Sequence, residues 1–209
     1  MKKIYSHFWL LLLVSYSLIL MFIEIKTSQD YVHYFYADTE GEVLFYAINT
    51  TLTISLMLAT SLMFKVNSVL LPLEKNNVTQ RFFYLSQACF FCYLAFDDRF
   101  LIHEKLGYIL GINDAFIILS LGLTEIALIL TWGNYQQWKE STKSYLFKAA
   151  ICFAIMVIMD GFFPQEVVLR LSLEDLSKTW ANVFLFLFAW DIFRQNITTL
   201  RQRLPTTQS

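Results

Sequence analysis

The sequence predicts an all-α fold, a single bundle of six transmembrane helices with both termini in the cytoplasm. Three observations lead to this prediction. Hydrophobic residues make up 56% of the 209 residues and charged residues only 16%, whereas a soluble domain usually carries about a quarter charged residues. The apolar residues gather into runs of roughly bilayer-spanning length. Basic residues collect on one side of the predicted bilayer, and acidic residues collect on the other.

Six apolar runs define the predicted spans. They cover about residues 7–23, 43–64, 82–96, 115–132, 145–163 and 180–193. The third and sixth runs are the shortest, near the lower limit of length for a helix that crosses a bilayer. No Gly-, Pro- or Ser-rich linker divides the runs, so residues 1–209 are expected to form one transmembrane domain.

The distribution of charge sets the predicted orientation. Of the 16 Lys and Arg residues, eleven fall in the segments assigned to the cytoplasmic side, and 13 of the 17 acidic residues fall at the outer face. An excess of Lys and Arg in cytoplasmic segments is typical of multi-pass membrane proteins. The sequence therefore predicts a multi-pass protein of the cell membrane, either an inner or a plasma membrane, with the lipid bilayer as its first partner.

The stretch Phe96–Lys105, at the outer end of the third span, is unusually polar for its position. It contains Asp97, Asp98, His103 and Glu104. Carboxylate and imidazole groups together suit a divalent cation such as Zn, Mn or Fe, and they also suit general acid–base chemistry. On a continuous helix Asp97 and Glu104 share a face, while Asp98 and His103 lie to opposite sides of it. All four are candidate metal ligands, but one ion could bind them together only where the helix breaks.

Other outer ends could add to this site. Asp160, near the outer end of the fifth span, is the expected acidic partner of Asp97 and Glu104. The alternative is a solvated helix end without a site, in which Arg99 and Lys105 act as local counterions.

Glu125 is the second candidate because it lies near the middle of the fourth span. A carboxyl group at that depth is costly, and such residues normally face the interior of the bundle. Asn49 and Thr53 of the second span reach a similar depth and are its expected partners. This intramembrane polar site is either a hydrogen bond between helices or a relay for protons or cations.

Missing motifs exclude several classes of function. The chain has no phosphate-binding P-loop, no histidine boxes of the desaturase type and no zinc-protease motif, and its basic tail is too sparse to bind nucleic acid. Three hypotheses remain. The first is an outer-face site that binds a divalent metal ion for chemistry on a lipid or small molecule; the second is a cation- or proton-coupled transporter that uses Glu125. The third is a non-catalytic assembly or sensor subunit of a membrane complex. The sequence indicates neither the oligomeric state nor whether the protein is an enzyme.

Overall fold

The computed structural model of the protein describes residues 2–28, 31–32, 48–71, 78–164 and 167–203. Apart from short turns, the described residues are helical, which confirms the all-α prediction. The helices are α1 (Lys2–Lys26), α2 (Ile48–Leu70), α3 (Val78–Phe100), α4 (Ile102–Leu110), α5 (Asp114–Trp132), α6 (Glu140–Phe162) and α7 (Arg170–Arg203). A single 3₁₀ turn, Tyr135–Gln137, connects α5 to α6.

Six long helices coincide with the six predicted apolar runs. The helices extend beyond several runs, because polar residues at the ends of a run continue the same helix. The predicted sixth span, 180–193, lies inside α7, which has 34 residues, and residues 43–47 of the predicted second span lie outside the described part of the chain. One element differs from the prediction. The short helix α4 lies between the predicted third and fourth spans, where no helix was predicted.

Among the described residues, three helices are long and apolar enough to cross a membrane, namely α2, α5 and α6. Two other long helices, α3 and α7, are more polar in composition. Helix α3, for example, ends in the acidic and basic residues Asp97, Asp98 and Arg99.

The helices pack mainly in two pairs, α2 with α3 and α6 with α7, and α2 also packs against α7. Aromatic side chains fill the space where α2, α3 and α7 meet. Phe64 is fully buried and stacks on Phe91, with ring centroids 5.8 Å apart. The main core cluster consists of Phe64, Phe83, Tyr84, Ala88, Phe91, Ile129, Phe188, Ala189 and Ile192. Helix α5 contributes only Ile129 to this core and packs more loosely than its neighbours.

Helix α1 is held at the periphery through α7. The indole Nε1 of Trp180 donates to the hydroxyl of Ser17 at 3.0 Å. Glu24, 3% exposed, accepts from the backbone N–H of Ser172 in the first turn of α7 at 3.2 Å. A carboxylate at that position satisfies one of the free N–H groups of the helix start. These contacts fix the N-terminal end of α7, which carries part of the polar cluster described next.

Candidate functional site

The helix that begins as α3 breaks at Leu101, and this break shapes the site. Leu101 has φ 52° and ψ 45°, in the left-handed region that a branched residue rarely adopts. The break turns His103 back toward Asp97. The carboxylate of Asp97 accepts from the backbone N–H of His103 and lies against ring atom Nδ1 of the same residue, both at 2.8 Å. Asp97 therefore satisfies a free N–H at the start of α4 and orients the imidazole at the same time.

The turn between α4 and α5 brings a third element to the same place. Gly111 ends α4 in the left-handed conformation, with φ 67°, as glycine does after many helices. Gly107 lies so close to the next helix that an added methyl group would be 3.0 Å from the carbonyl oxygen of Ile112 and 3.3 Å from the Cα of Asp114. The Asn113 side chain caps α5 by accepting from the N–H of Ala115 at 2.8 Å. Asp114 is thereby held beside α4.

His103, Glu104 and Asp114 together form what we call the outer triad, because they lie at the end of the bundle that is predicted to face outward. One possible ligand atom from each residue lies within 4.8 Å of those of the other two. His103 is buried, Asp114 is half-buried and Glu104 is exposed, so the triad lies at the boundary between the protein interior and its surroundings. One imidazole and two carboxylates, with no other protein group required, form a ligand set that suits a first-row divalent cation.

Burial and nearby charged groups shift the pKa values of two triad residues. Burial lowers the pKa of His103, but the hydrogen bond to Asp97 and its negative charge outweigh that effect, so the pKa of His103 is raised above its ordinary value. The partial loss of solvent around Glu104 raises the pKa of its carboxyl group, and the charge of Asp114 adds to the rise. Both groups therefore hold a proton at higher pH than they would in water.

Asp98 does not join the outer triad. Its carboxylate accepts from the hydroxyl of Thr53 at 2.7 Å and forms an ion pair with Lys178. Asp98 is 4% exposed, and a carboxylate buried to this extent needs such a partner. Of the four predicted ligands, His103 and Glu104 come together, Asp97 lies behind His103, and Asp98 joins α3 to α2 and α7.

Asp160 lies at the same end of the bundle and is already paired. Arg170 donates to its carboxylate at 3.1 Å and forms a second ion pair with Glu174, also at 3.1 Å. The expected meeting of Asp160 with Asp97 is replaced by this link between the outer ends of α6 and α7.

Glu125 faces the interior, where it contacts Gln87 and not the expected partners Asn49 and Thr53. The side-chain amide of Gln87 on α3 donates to Oε2 of Glu125 at 3.0 Å. Thr53 bonds to Asp98 instead, and Asn49 accepts from the hydroxyl of Thr179 at 2.6 Å. The reason is that α2 packs on α3 and α7, whereas α5 packs on α3, α4 and α6.

A cavity of about 1160 Å³ connects these groups. Its outer end is lined by the polar residues Asp97, Asp98, His103, Glu104, Asp114, Asp160, Glu174, Asp175 and Lys178. Its middle is walled by apolar side chains such as Leu94, Ile118 and Leu121, with Glu125 beyond them. The cavity is larger than most small-molecule pockets and combines a polar mouth with a long apolar interior.

The cavity also opens to the side of the bundle, between α5 and α6. Leu123 and Leu130 on α5 and Phe147 and Phe162 on α6 line it, and each is more than half exposed. An apolar surface of this kind is compatible with contact to lipid chains.

Sequence reasoning missed three residues of this arrangement. Asp114, Lys178 and Gln87 were not predicted as site residues. The position of Asp114 at an outer helix end was the available signal, because it places the residue on the same side as His103. The partnerships of Lys178 and Gln87 depend on contacts 80 and 38 residues apart along the chain, which no local pattern indicates.

Residues 8–192 match the family described as Domain of unknown function (DUF8692). The match covers most of the chain, including every residue of the outer triad and both members of the Glu125–Gln87 pair. No curated protein and no solved structure matches the chain.

Proposed function

We propose that the chain, which belongs to the DUF8692 family, is a metal-dependent membrane enzyme that acts on an amphipathic substrate at the outer face. In this proposal the protein lies in the cell membrane with six spans and both termini in the cytoplasm. The observation that carries the proposal is the convergence of His103, Glu104 and Asp114 at the mouth of a cavity with apolar walls.

The metal assignment is supported by the chemistry of the donor set. Metal-binding histidines almost always donate their other ring N–H to a carboxylate or a carbonyl, which fixes the tautomer and the ring orientation. The contact of Asp97 with Nδ1 of His103 has this form and leaves Nε2 as the nitrogen for a metal. Three protein ligands leave a coordination position for water or substrate, as in catalytic zinc sites.

The shape of the cavity indicates the class of substrate. A polar group would meet the ion at the mouth, and an alkyl chain would occupy the apolar interior. A bound divalent ion would lower the pKa of its water and polarise a carbonyl or phosphoryl oxygen. We therefore propose hydrolysis of a lipid or a similar amphiphile, in which water adds across an ester, amide or phosphoester bond. The chain's own residues bind the ion, orient His103 and exclude water from the alkyl chain.

The other two hypotheses account for less of the arrangement. A transporter that uses Glu125 requires a polar path from the cavity mouth to Glu125. The described residues that line the cavity between these two points include the apolar Leu94, Ile118 and Leu121. A non-catalytic subunit gives no reason for three metal-ligand side chains to converge. Both remain alternatives that the following experiment separates from the enzyme.

Metal analysis of purified protein tests the proposal. We expect wild-type protein, equilibrated with zinc or manganese and then dialysed, to retain one ion per chain. The double variant Glu104→Gln/Asp114→Asn removes two of the three ligands and is expected to lose the ion. Glu140→Gln is the matched control, because Glu140 is an exposed carboxylate paired only with Lys143 on α6. It should retain the wild-type metal content.

Two results would overturn the metal site. One is the absence of bound metal in wild-type protein at every pH between about 6 and 9, a range that brackets the ordinary histidine pKa. The other is equal metal content in the wild type and in the double variant, with circular dichroism showing that both are folded.

A further inference from the structure

Glu125 and Gln87 form a polar pair that the proposed metal chemistry does not use. Gln87 is fully buried and Glu125 is 9% exposed. One hydrogen bond joins them, from the Gln87 amide to Oε2 of Glu125. The other oxygen of each side chain, Oε1, has no hydrogen-bond partner among the residues that the structure describes. Each side chain therefore has one buried acceptor that no described residue satisfies, which costs free energy wherever water cannot reach it.

The surroundings offer the pair no further donor from the neighbouring helix α6. Gly122, one turn before Glu125, is covered by Phe153, since a methyl group added there would lie 2.4 Å from the ring. Glu125 lines the cavity, and a rotation about the terminal torsion of its side chain, which has a broad range in glutamate, would turn Oε1 toward the cavity. A donor group that reaches Glu125 through the cavity would satisfy the unpaired oxygen.

We propose that Glu125, supported by Gln87, is a second polar subsite that binds a hydroxyl or amine carried on the alkyl chain of the ligand. The chemistry common to both groups is a hydrogen-bond donor inside an apolar cavity. This hydrogen bond would be made only by ligands with a donor at the right depth, so the subsite selects among chains of similar length.

The spacing of the two sites defines the ligand further. Asp114 and Glu125 lie on the same helix, eleven residues apart, which corresponds to about 16 Å along the axis. The ligand is therefore an amphiphile with a head group at the outer triad and a hydroxyl or amine about that far along its chain. This description of the head group rests on the proposed function, whereas the binding at Glu125 does not.

A binding experiment on metal-free protein tests the subsite separately from the metal site. Protein in nanodiscs is treated with a chelator, and bound tritiated 1-dodecanol is displaced by unlabelled 1-dodecanol, 1-dodecylamine or methyl undecyl ether. The ether has the size of the alcohol but no donor. We expect the alcohol, the amine or both to displace the label at about tenfold lower concentration than the ether.

Variants locate the bound donor. Glu125→Met should abolish the preference for a donor, while Glu104→Gln at the mouth should retain it. Ile118→Phe narrows the cavity two turns nearer the mouth and leaves Glu125 in place. It should weaken the preference as well, and it serves as the second variant should Glu125→Met not fold.

Three results would overturn the subsite. The first is a wild-type protein that shows no preference for the alcohol or the amine over the ether, and the second is an unchanged preference in Glu125→Met. The third is loss of the preference in Glu104→Gln, which would place the bound donor at the mouth. None of these depends on whether the protein binds a metal. Failure of the metal analysis, in turn, would leave the preference for a donor in metal-free protein unaffected.

Discussion

At the scale of single residues, Asp97 has the most specific role. It holds both the backbone N–H and the ring of His103, and it is 5% exposed. In the proposed metal site it is therefore a positioning residue, which would act on the ion through His103. Its effect should appear in the affinity for the ion even when the overall fold is unchanged.

The substitution Asp97→Asn tests this role. An amide accepts more weakly than a carboxylate and cannot stabilise the same state of the imidazole, so metal affinity should fall by about 10–100-fold. Competition with a zinc chelator of known affinity measures the change. Asp191→Asn is the matched control, since Asp191 also accepts from a buried partner, Thr142 at 2.6 Å, but on a different part of α7. An equal loss of affinity in both variants would contradict the assignment.

The contact between Asp97 and His103 also makes the stability of the metal-free protein depend on pH. Since the pKa of His103 is raised in the folded state, protonation stabilises the fold. The stabilisation is fully present below the unfolded-state pKa of about 6.5 and is lost as the pH rises through the higher folded-state pKa. The Tm of metal-free protein should therefore fall as the pH rises from about 6. Differential scanning fluorimetry should show a smaller fall in Asp97→Asn. If the Tm of Asp97→Asn falls as steeply with pH as that of the wild type, the pH dependence belongs to other titratable groups.

Sequence reasoning could identify His103 and Glu104 at this scale, because ionisable residues beside an apolar run stand out. It could not assign Asp97 and Asp98 to different roles. That division depends on the break at Leu101, and neither Leu101 nor its neighbours is a glycine or proline that would indicate a break. A branched residue takes the left-handed conformation only where surrounding contacts hold it there.

At the scale of helices, ion pairs and a hydrogen bond connect the ends of α2, α3, α6 and α7 near the outer triad. Asp98 on α3, Thr53 on α2 and Lys178 on α7 meet at one point, and Arg170 joins α7 to α6 through Asp160. Removal of one member of a buried pair leaves an uncompensated charge and costs more than the pair itself contributes.

Lys178→Met should therefore destabilise the protein by about 3 kcal/mol. The double variant Asp98→Asn/Lys178→Met should recover part of that loss, because the buried charge of Asp98 is removed together with its partner. Denaturant unfolding in micelles provides the free energies for the cycle. Lys143→Met is the control, as its partner Glu140 is 89% exposed and exposed pairs contribute little. A double variant no more stable than Lys178→Met would indicate that the pair has no such coupling.

The positions of the long helices could be read from the sequence, because an apolar run of sufficient length forms a helix whatever its neighbours are. Their partners could not. Asn49 was expected beside Glu125 on the basis of equal depth, but depth does not determine which helices are adjacent. Helix α4 was not predicted as a separate element. The residues after Leu101 are helical like those before it, and only the direction of the helix axis changes there.

At the scale of the whole molecule, the proposed six-span topology places the outer triad and the Tyr135–Gln137 turn on opposite faces of the membrane. Tyr108, in α4, is 90% exposed, and Gln136 is also exposed. Both positions therefore suit a cysteine reporter.

Single cysteines at these positions, in a background from which Cys89, Cys92 and Cys152 have been removed, test the topology. A membrane-impermeant maleimide added to intact cells should label Tyr108→Cys and not Gln136→Cys. Permeabilised cells should show both labels. Labelling of Gln136→Cys alone in intact cells would reverse the orientation, and labelling of both would remove at least one proposed span.

The exposed apolar edge of the cavity between α5 and α6 has a consequence for kinetics. A substrate that enters there arrives by lateral diffusion in the plane of the bilayer and never leaves the lipid phase. Its effective concentration is then a mole fraction in the membrane and not an amount per volume of water. Dilution of the substrate with inert phospholipid, at constant total substrate in the sample, would slow turnover, whereas addition of buffer to the same vesicles would not.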